Sequence, residues 1–236
     1  MNLMPLPARA RAAACVLACL LASPASHAGR PMTVDDAAIV APGLCQLETY
    51  ALRADHLAEY WATPACNAGG DWELAVGGAW AGDTSGARSQ TTHHFRVQAK
   101  TVFKPLETNG WGLGLVLADQ FRAGRGGDGD LSLNVPLSLS LRDDAVLLHL
   151  NAGVMHAETG RRHHATWGGG AQFRLDQRHA LTAEVYGRQH SGSRYQFGIA
   201  RALIPDRLQL DATWGRRLAR GGGEAVVTVG LVFQSN

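Results

Sequence analysis

The sequence predicts an all-β protein: a transmembrane, antiparallel, up-and-down β-barrel of about 12 strands. Residues 130–142, "DLSLNVPLSLSLR", alternate aliphatic and polar side chains, and they are the sixth of twelve comparable segments that follow one another from residue 44 to the carboxyl end. Each segment is about ten residues long, which is the length that a tilted strand needs to cross hydrocarbon. Strands of soluble sandwiches are usually nearer five or six residues. The third observation is that most links after odd-numbered segments are longer than the links after even-numbered segments.

Each segment has one apolar face, because successive side chains of a strand point to opposite sides. In the sixth segment the aliphatic residues occupy every second position, with serines between them. We interpret the leucines as facing lipid and the serines as facing the lumen, so that arginine at 138 would be tolerated and arginine at 137 would not. A soluble sandwich with the leucines in its core is the alternative. In chain order the segments read LCQLETYALR, LAEYWATPAC, DWELAVGGAW, HFRVQAKTVFK, WGLGLVLADQF, DLSLNVPLSLSLR, AVLLHLNAGVM, HATWGGGAQFRL, ALTAEVYGRQH, RYQFGIARAL, LQLDATWGRR and AVVTVGLVF.

The links after even-numbered segments are short: "NAGG", "PLETNG", "RDD", "DQR" and "IPDR". Most links after odd-numbered segments are longer and rich in Gly and charge, among them "GDTSGARSQTTH", "RAGRGGDGD", "ETGRRH" and "RRLARGGGE". Outer-membrane barrels have tight periplasmic turns and longer outer loops. Tryptophans and phenylalanines also fall toward segment ends, as in the aromatic girdles of such barrels. The difference in link length and the aromatic residues at segment ends both favour a barrel in the bacterial outer membrane. Such a barrel would be surrounded by lipid and inserted by barrel-assembly machinery.

The amino terminus has the pattern of a secretory signal peptide, which we assign to residues 1–28. Arg9 and Arg11 precede a short apolar run, and small residues stand before Gly29. A lipoprotein modified at Cys19 is the alternative. We predict that residues 29–43 form a periplasmic or lumen-lining segment and that residues 44–236 form the barrel.

Removal of the signal would leave two cysteines, Cys45 and Cys66. A hairpin that turns at Asp55 and His56 places them directly opposite each other, at the roughly 4.5–5.5 Å separation of cross-strand partners. Because an exported chain meets an oxidising compartment, we predict a disulfide. Two free, buried thiols are the alternative.

Polar residues with lumen-facing parity are the candidate lining of a passage. The alternative is that these residues form ion pairs that fill a narrow barrel, because twelve strands lie between the barrels filled by side chains and those with an open channel. Asp35 and Asp36 could fold inward to pair with basic residues, or lie in the periplasm. The candidates are Arg96, Gln98, Lys100, Arg142, His149, Asn151, Arg174, Glu184, Arg188 and Asp211.

The sequence gives little support to metal, cofactor or enzyme chemistry. The adjacent pairs His93-His94 and His163-His164 cannot chelate from a strand, because neighbours point to opposite faces. Ser138, His149 and Glu184 share lumen parity, but no GxSxG motif occurs. A net charge of +2 indicates no nucleic-acid partner. We therefore predict no catalytic residues, metal or cofactor, and the sequence does not set an oligomeric state.

Residues 30–50, "RPMTVDDAAIVAPGLCQLETY", resemble the amino-terminal signature of the "MetA-pathway of phenol degradation" family of outer-membrane barrels, whose members are described as transporters. Residues 97–115, "VQAKTVFKPLETNGWGLGL", echo a second stretch of close relatives, although Phe233 is followed by three more residues where such barrels commonly end on an aromatic. The resemblance implies a channel or transporter for small molecules, with hydrophobic or aromatic compounds as candidates. A lipid-acting barrel enzyme and a structural or adhesive barrel are the alternatives. The matching residues are Arg30, Pro31, Asp35, Asp36, Ala37, Gly43 and Glu48.

Overall fold

The computed structural model describes residues 30–86, 88–124, 129–218 and 223–235. The predicted signal peptide and Cys19 lie outside these ranges. None of the described residues forms a helix of the length and apolarity needed to span a bilayer. The strands are β1 (Cys45–Arg53), β2 (Leu57–Cys66), β3 (Trp72–Asp83), β4 (Gln90–Lys104), β5 (Trp111–Arg122), β6 (Asp130–Leu141), β7 (Val146–Ala157), β8 (Arg162–Arg174), β9 (His179–Arg188), β10 (Gly192–Ile204), β11 (Leu208–Leu218) and β12 (Ala225–Gln234).

These strands form a closed antiparallel barrel. Each strand pairs with its neighbours in sequence, and β1 pairs with β12 to close the sheet, with Gln46 opposite Gln234 and Arg53 opposite Val227. The strands are nine to fifteen residues long. The predicted fold class, an all-β up-and-down barrel of 12 strands, is confirmed.

The two faces of the barrel wall have opposite polarity. Large apolar side chains are exposed on the outside, including Leu74, Leu133, Leu150, Phe197 and Val229. Buried polar and charged side chains lie on the inside, including Glu73, Lys100, Ser138, His149, Glu184 and Asp211. A soluble protein buries its apolar side chains and exposes its polar ones. The inverted pattern is the one expected of a barrel surrounded by hydrocarbon.

The two ends of the barrel differ less in loop length than the sequence predicted. We call the end at which β1 begins and β12 ends the terminal end, and the opposite end the loop end. At the loop end, the links 84–89 and 158–161 are shortened because β4 already begins at Gln90, opposite Asp83, and β8 at Arg162, opposite Ala157. At the terminal end, the link 105–110 is as long as the link 84–89.

Arg142 does not face the lumen, which corrects the prediction from its parity. Strand β6 ends at Leu141, and Arg142, Asp143 and Asp144 then form a turn with φ between 55° and 61°. Asn109 holds this turn from the preceding link, because its Nδ2 donates to Asp143 Oδ1 (2.6 Å). The alternation that places Arg142 inside applies only while the strand continues.

The hairpin β1–β2 has the register that the cysteine spacing predicted. Cys45 lies opposite Cys66, and the two form a disulfide with a Cα–Cα distance of 4.1 Å. Closing a loop of this length stabilises a fold by roughly 3 kcal/mol in the chain-entropy model. The bond lies at the terminal end, where the segment that precedes β1 joins the wall.

Candidate functional site

Residues 30–44 run along the inner wall of the barrel, and we call them the belt. The belt begins at Arg30, whose Nη2 donates to Asp211 Oδ1 (3.0 Å) and Thr228 Oγ1 (3.3 Å) on β11 and β12. The Arg30 guanidinium also lies 4.1 Å from the ring centroid of Tyr50. A Cβ at Gly230 would lie 2.7 Å from Arg30 Nε, so glycine leaves the space that this side chain occupies. Asp211 is therefore a belt contact.

The next part of the belt is held by Glu184 on β9. The backbone N–H groups of Thr33 and Val34 donate to its carboxylate, at 2.9 and 2.8 Å. Gln196 on β10 donates from Nε2 both to Glu184 Oε1 (2.8 Å) and to the carbonyl oxygen of Pro31 (3.2 Å). Because hydrogen bonds to a charged acceptor are the strong ones, Glu184 is a principal anchor of the belt.

Asp35 is held by two asparagines on β6 and β7. Its backbone N–H donates to Asn151 Oδ1 (2.8 Å), and Asn151 Nδ2 donates back to its carbonyl oxygen (2.8 Å). Asn134 Nδ2 donates to the Asp35 carboxylate (2.7 Å). These two bonds with Asn151 satisfy the backbone N–H and C=O groups of Asp35, which have no strand partner.

Besides the Arg30–Asp211 pair, a second buried ion pair between belt and wall joins Asp36 to Lys100. Lys100 Nζ lies 2.7 Å from Asp36 Oδ1, and both side chains are almost fully enclosed. A buried cation without a partner is strongly destabilising, so this contact fixes the belt on β4.

The last part of the belt returns to the start of β1. The N–H of Val40 donates to Glu73 Oε2 (2.8 Å), and Asn67 Nδ2 donates to the carbonyl oxygen of Val40 (2.9 Å). The belt thus meets β11, β9, β7, β6, β4 and β3 in turn, which is the order of strands around the sheet. It follows the wall around nearly the whole circumference, in the half of the barrel nearer the terminal end.

Two cavities remain inside the barrel, of about 520 and 480 Å³. The first lies along β1 to β4 and is lined in part by Tyr50 and Trp61, whose rings stack at 6.1 Å. The second lies along β6 to β10. Both are bordered by Thr33 and Asp35 of the belt and by Arg96, Tyr186 and Arg194 of the wall. The two cavities therefore adjoin at these shared residues, and the belt takes up part of the space between the two ends of the barrel.

Most of the predicted lumen residues lie on the inner wall, but they divide into two groups. Arg96, Gln98 and Lys100 line the first cavity, and Asn151 and Arg188 line the second. His149, Glu184 and Asp211 are buried against the belt or its contacts. Arg174 is the last residue of β8 and is exposed at the terminal end.

Ser138 and His149 lie together but serve the belt. The N–H of Ala37 donates to Ser138 Oγ (2.8 Å), and Ser138 Oγ lies 2.8 Å from His149 Nδ1. Oγ thus accepts from Ala37, and either Oγ or Nδ1 can be the donor in its bond with His149, according to the tautomer of the imidazole. Glu184, which shares their parity, is engaged by Thr33 and Val34. Within the described ranges, no three His, Cys, Asp or Glu side chains are grouped so that they could hold a metal ion.

A protein-family comparison matches residues 16–234 to the family described as "Uncharacterised conserved protein UCP029691". The match spans nearly all of the chain. The chain belongs to this family. No curated protein sequence matches this family member significantly.

Solved structures similar to this chain include porins and channels of the outer membrane. A structure of the KdgM porin superposes with a TM-score of 0.61 at 9% identity, covering 80% of this chain and 98% of that one. The COG4313 outer membrane channel from Pseudomonas putida F1 gives a TM-score of 0.59 at 11% identity, covering 85% and 98%. The NanC porin gives 0.58 at 11% identity, covering 80% and 98%. At these identities the similarity establishes the fold.

Several residues of the interior were missed in the sequence. Arg194 and Gln196 have lumen parity in the segment "RYQFGIARAL", and Asn134 has it in the sixth segment. That parity was the available signal for their position. Pro31, a partner of Gln196, and Asp35, a partner of Asn134, are 165 and 99 positions away, so no local pattern indicates these two contacts.

Proposed function

We propose that this chain is a channel of the bacterial outer membrane through which small solutes pass. The observation that carries the proposal is a closed barrel with an apolar outer face and an inner space that holds two adjoining cavities beside the belt. An apolar outside fits lipid, and a polar, cavity-bearing inside fits an aqueous path. The likeness to the KdgM porin and the COG4313 channel supports the same reading.

The belt sets how wide that path is. Because it is held by side-chain contacts and is not part of the sheet, it can leave the wall without breaking any strand pairing. A barrel of twelve strands without an insert lies between those filled by side chains and those with an open channel. The belt is therefore the element that closes or opens the passage.

The solute and the finer family assignment are part of the proposal. Tyr50, Trp61 and Leu52 line one side of the first cavity and can contact hydrophobic or aromatic molecules. Membership in the "MetA-pathway of phenol degradation" group is supported by the two stretches quoted above. Arg30, Asp35 and Asp36 from the first stretch and Lys100 from the second make the belt contacts. Lipid and the barrel-assembly machinery are the further proposed partners.

The test is the conductance of purified full-length protein in planar lipid bilayers. We expect stepwise currents, brief or small because the belt narrows the path, and release of small solutes from liposomes that contain the protein. Protein-free detergent at the same dilution is the control. A folded, heat-modifiable barrel that gives neither currents nor solute release would contradict the channel.

A further inference from the structure

Four arginines line the barrel interior on the loop-end side of the belt. At the loop end, Arg188 is the last residue of β9, Arg194 is near the start of β10, and Arg217 is near the end of β11. Arg96 lies in the middle of β4. All four border the second cavity, and Arg96 and Arg194 border the first as well. An anion that enters from the loop end therefore meets arginines before it meets the belt.

These arginines are not neutralised by carboxylates in the described part of the chain. None of the four forms a salt bridge there, and the Arg96 guanidinium donates from Nη2 to the neutral Gln98 Oε1 (2.7 Å). Glu59 accepts from the indole N–H of Trp61 (2.7 Å), and Glu224 is exposed at the mouth of the first cavity. Arginines in an enclosed space with low-dielectric walls attract anions more strongly than arginines on an open surface.

Three of the inner carboxylates near the belt are already in use as acceptors. Asp36 is paired with Lys100, Glu184 accepts from Thr33 and Val34, and Glu73 accepts from Val40. Their hydrogen-bonding capacity is thus directed at the belt, whereas the arginines retain free donors directed at the cavities. A guanidinium binds a carboxylate through two parallel N–H donors, which gives such a pair both strength and orientation.

We propose that the half of the barrel interior at the loop end is a binding site for solutes that carry a carboxylate, with Arg96 and Arg194 as the binding cations. The site rests on the proposed channel function, because it names the class of solute that the channel admits. Arg188 and Arg217 lie nearer the mouth and raise the local concentration of the anion. Tyr50 and Trp61 lie beside Arg96 around the first cavity and contact the organic part of the solute.

The test compares benzoate with benzamide, which have the same ring and nearly the same size but differ in charge. Equilibrium dialysis against full-length protein in detergent should show benzoate bound at least roughly tenfold more tightly, as expected for charge-assisted hydrogen bonds. The double variant Arg96→Gln/Arg194→Gln should lose that preference. Arg53→Gln is the matched control, because Arg53 is exposed at the loop end and lines neither cavity. Heat-modifiable migration verifies that each variant is folded.

Reversal potentials in a KCl gradient supply a second readout. We expect preference for chloride over potassium, reduced in the double variant and unchanged in Arg53→Gln. Equal binding of benzoate and benzamide, absence of binding of either, or a double variant that behaves as the parent would overturn the site. Currents without charge preference would support the proposed channel and contradict the proposed carboxylate site. Benzoate binding without any current would retain the site and remove the channel.

Discussion

Leu150→Arg should destabilise the assembled barrel by about 2–4 kcal/mol, the cost of an arginine on the lipid face near the bilayer midplane. Leu150 lies near the middle of β7, and 52% of it is exposed on the outer face. The expected result is a smaller fraction of heat-modifiable, folded protein after refolding into lipid vesicles, and a lower free energy of unfolding in urea.

The control for this variant is Leu175→Arg, the same chemical change in the link after β8, where 57% of the side chain is exposed. Leu175 lies beyond the end of the strand and should accept arginine with little effect. If the outer face met water, both exposed leucines would tolerate arginine equally, and that outcome would contradict a membrane barrel. The comparison is sharper than one at position 137 or 138. Ser138 is 0% exposed and bonded to Ala37, so the expectation of a tolerated arginine there is wrong.

Asp36→Ala should release the belt from the wall. The substitution leaves Lys100 enclosed without its partner, and removing one partner of a buried ion pair costs about 3–5 kcal/mol. The strands keep their ladder of backbone bonds, so we expect this cost to displace the belt and to leave the barrel folded. Faster proteolysis within residues 30–44, together with larger and longer currents, would show the displacement.

Two further variants test whether the unpaired charge of Lys100 is what releases the belt. Asp35→Ala removes a carboxylate that accepts from the neutral Asn134, so its effect should be nearer 1 kcal/mol. Asp36→Ala combined with Lys100→Met removes both charges and should restore much of the protection of the belt. If Asp36→Ala and Asp35→Ala release the belt equally, the Asp36–Lys100 ion pair is not a principal anchor of the belt.

The barrel could be predicted from the sequence because its pattern is local. Alternation along each strand reports which side chains share a face, and the positions of Cys45 and Cys66 about the turn report one register. The failures are at strand ends. Arg142 keeps the parity of β6 but follows its last residue, and Gln90 extends β4 into a predicted loop.

The belt could not be predicted in the same way. Residues 30–44 have no period, and many of their contacts join them to residues more than 100 positions away, such as Glu184, Asp211 and Ser138. The charge of Asp36 suggested a basic partner but not which one. Only the closure of the sheet brings β11, β9 and β4 around one segment, and that closure is a property of the whole chain.

The most direct test that the belt governs the passage is to fix the belt to the wall with an engineered disulfide. A Cβ at Gly168 would lie 3.7 Å from Val34 Cβ and 3.5 Å from Tyr186 Cβ, so the double variant Val34→Cys/Gly168→Cys has suitable spacing for the bond. Single-channel currents are recorded before and after mild reduction, with the parent protein and Val34→Cys treated in the same way. We expect the oxidised double variant to stay at its lowest conductance and reduction to restore its openings. The currents of the two control proteins should be the same before and after reduction. Equal currents in the oxidised and reduced double variant, with the bond verified by mass spectrometry, would contradict a passage governed by the belt.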